Sequence, residues 1–184
     1  MSTTAAKEKR VEVSDEELIT RACSGEIPAF GQLYKRHVAI VYGFLRRCAG
    51  NEQEAEDLTQ ETFILAFRKL RQFRQKSAFS TWPISIAISV FRSQLRSKQR
   101  RENRQLAWYQ STTTHHDESG CTDALFDLER AIGTLPHRAR MVLILHEING
   151  HTHEEIANIM NISKGTCKAH LNRAKRLIEK RLRQ

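Results

Sequence analysis

From Phe30 to Leu45 the apolar residues Phe30, Leu33, Tyr34, Val38, Val41, Tyr42 and Leu45 return every three or four positions. That spacing lays them along one face of an α-helix. The same period recurs in Ala55, Leu58, Thr62, Phe63, Leu65, Ala66 and Leu70, where it predicts a broad inner helix face. Breakers are scarce, with only 8 glycines and 3 prolines in 184 residues, which disfavours a turn-rich β fold. The pattern predicts an all-α chain.

Start and stop signals delimit the helices. Ser14-Asp15-Glu16-Glu17 is a capping box ahead of Leu18 and Ile19. Pro28 suits the first turn of a second helix, where its missing N–H has no intrahelical partner to lose. Gly50 ends that helix, and Asn51 with Glu54 caps a third. Residues 71–79 read as a loop. Ser80 then caps a fourth helix, with Pro83 in its first turn, running to about Arg101. The stretch from Ser111 to Gly120 is polar and aperiodic, so residues 105–121 are expected to be a flexible linker. The reading is therefore a polar tail over 1–13, a helical domain over 14–104, the linker, and a second helical domain over 122–184. Helices are expected there at 123–133, Pro136–Glu147, Thr152–Met160 and from Ser163 onward.

The sharpest local pattern lies in the second domain. His153-Glu154-Glu155-Ile156-Ala157, then Ile159 to Ser163, then Thr166-Cys167-Lys168 reads as helix, tight turn, helix. Ala157 is small enough for a close helix crossing, Asn161 tolerates a left-handed turn, and Ser163 can cap the second helix. Ile156, Ile162, Cys167 and Leu171 are the expected small core. In a helix-turn-helix the second helix meets base edges in the major groove. Its apolar stripe of Cys167, Leu171, Ala174 and Ile178 turns Lys168, Asn172 and Lys175 outward. The candidate reading set is Lys164, Thr166, Lys168, Ala169, Asn172, Arg173 and Arg176. From Lys164 to Arg183 there are eight lysines and arginines against one acid, Glu179. The whole chain carries +9, which suits a polyanionic partner.

Other classes find less support. Neither a glycine-rich phosphate loop nor a nucleophile elbow is present, so an enzyme is not expected, and no cofactor is implied. His151 and His153 do not have metalloprotease spacing and are expected to be an exposed pair at a helix start; His115-His116 gives no metal site either. Cys23, Cys48, Cys121 and Cys167 are far apart and read as free thiols. Without a long apolar run or a hydrophobic leader, no membrane insertion is expected and the cytoplasm is the expected location.

The N-terminal domain carries a resemblance. Asp57-Leu58-Thr59-Gln60-Glu61-Thr62-Phe63 resembles the D-x-x-Q-E-x-F signature of bacterial sigma factors. Phe79-Ser80-Thr81-Trp82 with Ile86-Ala87 resembles the F-x-x-W-L-x-x-I-A segment that follows it. Leu135-Pro136, Arg140, Glu155-Ile156-Ala157, Gly165-Thr166 and Arg173-Ala174 resemble the fourth conserved region. Both halves stand in the family's order, and the chain resembles the extracytoplasmic-function class, which has regions two and four only. The resemblance implies that Asp57, Gln60 and Glu61 grip a coiled coil of core RNA polymerase. It implies minus ten promoter contacts from Phe73, Ser77, Phe79, Ser89, Arg92, Arg96, Arg100 and Arg101, and minus thirty-five contacts from the reading set. Trp82 and Phe63 are expected in the core. The partners it implies are core polymerase, promoter DNA and an anti-sigma protein, which can be membrane-anchored and hold the factor near the inner membrane. Three positions depart from the pattern: Pro83 replaces a leucine, Ile88-Ser89 replace Arg-Asn, and Ser93 replaces an aspartate. The lost asparagine normally helps to hold a base. A stand-alone helix-turn-helix regulator and a sigma-like protein that titrates an anti-sigma factor are the alternatives.

Overall fold

A computed structural model describes residues 13–75, 77–108 and 124–182, the side chains of 105–108 and 124–127 excepted. The expected tail as far as residue 12, most of the expected linker, His115-His116 and Cys121 lie outside the described residues. Within them the fold is all-α, with α1 (Asp15–Cys23), α2 (Ile27–Ala49), α3 (Glu52–Lys69), α4 (Thr81–Trp108), α5 (Ala124–Gly133), α6 (His137–Leu143), α7 (His153–Met160) and α8 (Lys164–Leu182).

The first and third helices are capped where the sequence puts their caps. Ser14 Oγ accepts from Glu17 N at 3.2 Å, and Asn51 Oδ1 accepts from Glu54 N at 3.2 Å. Gly50 leaves α2 at φ 76, a left-handed angle that glycine takes without a Cβ penalty. Helices α1 to α4 pack on Leu18, Leu33, Val41, Leu45, Ala55, Leu58 and Ile84, all buried. Burying a leucine-sized side chain contributes about 1.5–3 kcal/mol, so this face holds the helices far more firmly than intrinsic propensity does. Thr59 and Thr62 are buried too, and their hydroxyls donate to the carbonyls of Ala55 and Leu58 one turn back.

Three local expectations change. The fourth helix does not stop near Arg101 but continues to Trp108, since no breaker lies between them. The loop after α3 opens with a single 3-10 turn, Leu70–Gln72. The helix expected to end at Glu147 finishes in a π turn, Ile144–Ile148, whose end is fixed by His151 N donating to Leu145 O at 2.9 Å.

The two helical groups share one core. Val41, Phe44, Leu45 and Cys48 of α2 join Phe91 of α4, Leu135, Ala139 and Val142 around α6, and Ile156 and Met160 of α7 in a single cluster. Arg140, only 7% exposed, sits at this seam. Its Nη1 donates to Cys48 O at 2.6 Å, and its Nη2 donates to the carbonyls of Leu135 and Gly133. A guanidinium there satisfies carbonyls at two helix ends and complements the negative end of the α2 dipole.

Candidate functional site

On α3 the buried face of Ala55, Leu58, Thr62, Phe63 and Ala66 turns the opposite face to solvent. That outer face carries Asp57, Gln60 and Glu61, all exposed. The same stripe continues one turn on into Ile64, 53% exposed, and Phe67, 46% exposed. Phe67 meets Phe30 edge-on at 5.0 Å, and Tyr34 meets Phe63 at 4.8 Å, so an aromatic shelf flanks the polar stripe. The sequence reading omitted Ile64 and Phe67. Their positions seven and ten residues after Asp57 were the available signal.

An open polar cleft lies between the start of α3 and the middle of α4, lined by Asn51, Glu54, Asp57, Gln94, Lys98 and Arg101. Gln94 Nε2 donates to Glu54 Oε1 at 2.8 Å and ties the two helices together there. The cleft sets Arg101 near the acidic stripe, whereas Arg96 and Arg100 stand exposed on α4.

The loop before α4 corrects one expectation. Phe79 is 4% exposed and cannot wall an open pocket. It is packed against Phe73 at 5.5 Å, Trp82 at 5.8 Å and the His37 ring at 5.2 Å, so it holds the loop from inside. Phe73 is half-buried and Ser77 is exposed, which leaves these two at the loop surface. Trp82 is half-buried against Phe73 at 5.2 Å. Ser89 is exposed, and its hydroxyl donates to Ser85 O at 3.1 Å. Arg92 is turned into the seam and donates to Met160 O at 3.4 Å, away from open solvent.

The helix-turn-helix forms as read. Thr152 and Glu155 build a capping box on α7. Asn161 adopts φ 52 and ψ 57, and Ser163 Oγ accepts from Thr166 N at 3.0 Å to start α8. Cys167, Leu171 and Ala174 are buried beneath α8. Lys164, Thr166, Lys168, Ala169, Asn172, Arg173 and Arg176 are all exposed on its outer side.

The histidines differ from expectation. His151 and His153 are not an exposed pair, for both are half-buried. His153 stacks on His146 at 4.6 Å, and its Nδ1 lies 3.7 Å from Cys167 Sγ. Burial, then His146 and the lysines 168, 164 and 175, push the His153 imidazole below its usual range. Glu147 accepts from Lys175 at 2.8 Å, which holds its carboxyl low. Among the described residues no group of histidines, cysteines and acids is arranged to hold a metal ion. None of the described helices is long and apolar enough to cross a membrane.

Comparison with known proteins decides what this arrangement is. Residues 33–101 match the family model for sigma-70 region 2, and residues 125–178 match that for sigma-70 region 4. The RNA polymerase sigma-H factor of Pseudomonas aeruginosa is 32% identical over 91% of this chain and 93% of its own length. The ECF RNA polymerase sigma-E factor of Haemophilus influenzae is 28% identical over 93% of this chain and 96% of its own. The chain belongs to the extracytoplasmic-function sigma factors. Among solved structures, this sigma factor has the fold of the sigma factor RpoE crystallised with the anti-sigma factor NepR from Bartonella quintana. The TM-score is 0.71 at 24% identity, covering 85% of this chain and 98% of that one. In this sigma factor the outer stripe of α3 falls in the region 2 match, and the helix-turn-helix as far as Ile178 falls in the region 4 match.

Proposed function

We propose that this sigma factor binds core RNA polymerase, carries it to a particular set of promoters and helps to open the DNA there. The polymerase contact is the outer stripe of α3: Asp57, Gln60 and Glu61, extended by Ile64 and Phe67. A stripe that is polar at one end and apolar at the other suits a helical partner, which it meets with charge pairing and buried area together. Region 4 reads the minus thirty-five duplex with the exposed face of α8. Lysine and arginine there serve guanine edges and phosphates, and Asn172 serves adenine. Region 2 holds the minus ten strand with Phe73, Ser77 and Ser89 near the α4 start. Arg96, Arg100 and Arg101 supply phosphate contacts. An anti-sigma protein controls the factor, which acts in the cytoplasm.

The observation that carries this reading is the outward face of α8. Its seven candidate residues stand exposed while the opposite face is core. A helix buried on one side and basic on the other, following a tight left-handed turn, is built to enter a major groove. The test is run-off transcription from a genomic fragment library with purified core polymerase. Transcripts that need this protein, share an upstream motif and vanish with Asp57→Arg support the proposal. Core binding without transcripts would overturn it.

One observation favours a second reading, a sigma-like protein that titrates an anti-sigma factor. At the position where the family pattern has a base-holding asparagine, Ser89 offers only a hydroxyl turned back onto its own helix. Such a protein would bind its partner yet drive no transcription.

A further inference from the structure

Helix α1 packs on a second apolar cluster, none of whose buried members belongs to the shared core. Leu18 and Ile19 of α1 are buried there with Ala29 and Leu33 of α2, with Leu70, and with Phe79 from the loop before α4. Phe73 and Trp82 pack against its edge. Polar contacts add to this at both ends of α1. At its start Asp15 Oδ1 accepts from Arg36 at 2.9 Å, and Asp15 Oδ2 lies 2.7 Å from His37 Nε2. A carboxylate only accepts, so Nε2 carries the proton and donates it. The His37 side chain is 13% exposed, and its ring meets Phe79 edge-on at 5.2 Å. At the other end of α1, Cys23 O accepts from Arg71 Nη2 at 3.3 Å. Between these two anchors the loop holds Gln75 at φ 53, a left-handed angle that a residue with a Cβ keeps only where its surroundings impose it.

We propose that Asp15 and His37 are positioning residues for base capture by this loop, acting through Phe79. The proposal rests on the reading that Phe73 and Ser77 hold an unstacked base of the minus ten strand. A base taken out of the stack recovers its lost stacking only against walls that are already in place. Phe73 stands at the loop surface but leans on Phe79 at 5.5 Å and on Trp82 at 5.2 Å. Phe79 leans in turn on the His37 ring. The bond from Nε2 to Asp15 fixes how that ring is turned. Without it the imidazole can rotate, and the edge it presents to Phe79 is lost. Six buried side chains make a small cluster, so a loop seated on it opens more readily than the shared core does. One oriented, charge-assisted hydrogen bond then shifts that opening by a measurable factor.

The test begins with the full chain alone. Trypsin cleavage after Arg74, an exposed loop residue, reports how often the loop opens. Asp15→Ala and His37→Phe are each expected to speed that cut by about tenfold. The double variant should be no faster than Asp15→Ala, because both substitutions remove the same bond. Asp15→Asn keeps an acceptor and should restore most of the protection. Arg21→Gln removes the pairing of α1 with Glu26 and should leave the loop as in wild type. The second arm uses holoenzyme made with purified core polymerase and a randomised single-stranded oligonucleotide pool. Wild type should enrich a motif. Asp15→Ala and His37→Phe should flatten one position of it by about fivefold or more, with core affinity unchanged, and Asp15→Asn should recover it. Cleavage that ignores both substitutions, or that rises as much with Arg21→Gln, would overturn the proposal. Faster cleavage with the motif intact would also sink it. A wild-type holoenzyme that enriches no motif would remove the minus ten reading and the base-capture role with it. Cleavage that still depends on Asp15 would then show that the brace on the loop stands without that reading.

Discussion

Arg140 donates through Nη1 to the carbonyl oxygen of Cys48, 2.6 Å away, carrying a buried cation of the region 4 domain into the last turn of α2. Its other terminal nitrogen serves the carbonyls that end α5 and precede α6. Arg140→Leu leaves these buried acceptors without a donor and is expected to cost about 3 kcal/mol. Urea unfolding followed by far-UV circular dichroism reads the cost. An unchanged midpoint would show that the guanidinium contributes nothing net.

The stripe on α3 separates binding from folding. Asp57→Arg and Ile64→Glu both fall on exposed positions, where substitutions usually change stability by less than about 0.5 kcal/mol. Each is expected to weaken core polymerase binding by roughly tenfold or more, a change of about 1.4 kcal/mol, with the helix content unaltered. Pull-down against core enzyme beside a thermal melt gives both numbers.

On α8, phosphate contacts and base contacts should part company. Lys168→Ala is expected to weaken binding on all sequences and to reduce the salt slope by about one. Asn172→Ala is expected to relax preference at one base pair by about 1–3 kcal/mol. Binding to a randomised minus thirty-five library at two salt concentrations distinguishes them.

Acid should loosen the chain before it titrates the carboxylates. Burial is the leading cause that lowers His137, His153 and His170. A histidine favoured in its neutral form contributes its full stability above its ordinary value of 6.5 and loses it as pH falls through the folded value. Glu147, lowered by Lys175, and Glu155, lowered by the Thr152 backbone, add a second loss below 4.5. The urea midpoint is therefore expected to drop as the pH falls below 6.5, and less so in His153→Gln. This runs against the gain in phosphate attraction that extra positive charge would bring to DNA binding.

The caps and the turn were legible because each depends on a few adjacent residues. Ser14, Asn51, Thr152, Asn161 and Ser163 all act locally. The α8 surface was legible because one apolar stripe fixes which residues face out. What the sequence left hidden is non-local. Phe79 looked like a pocket wall until His37, Phe73 and Trp82, brought in from α2, the loop and α4, enclosed it. The His146 and His153 stack depends on a π turn that shifts one helix end, and no periodicity announces it. The seam itself joins residues 92 positions apart, Cys48 and Arg140.

The shared core has a consequence for how promoters are told apart. While α2 and α6 are packed together, the loop before α4 and the outer face of α8, the two surfaces proposed to meet DNA, ride on one core and keep a fixed separation. A chain closed in this way cannot adjust its grip to spacers of different length. Tolerance for longer or shorter spacers is then a property of the assembled polymerase, and the free protein should be blind to spacer length.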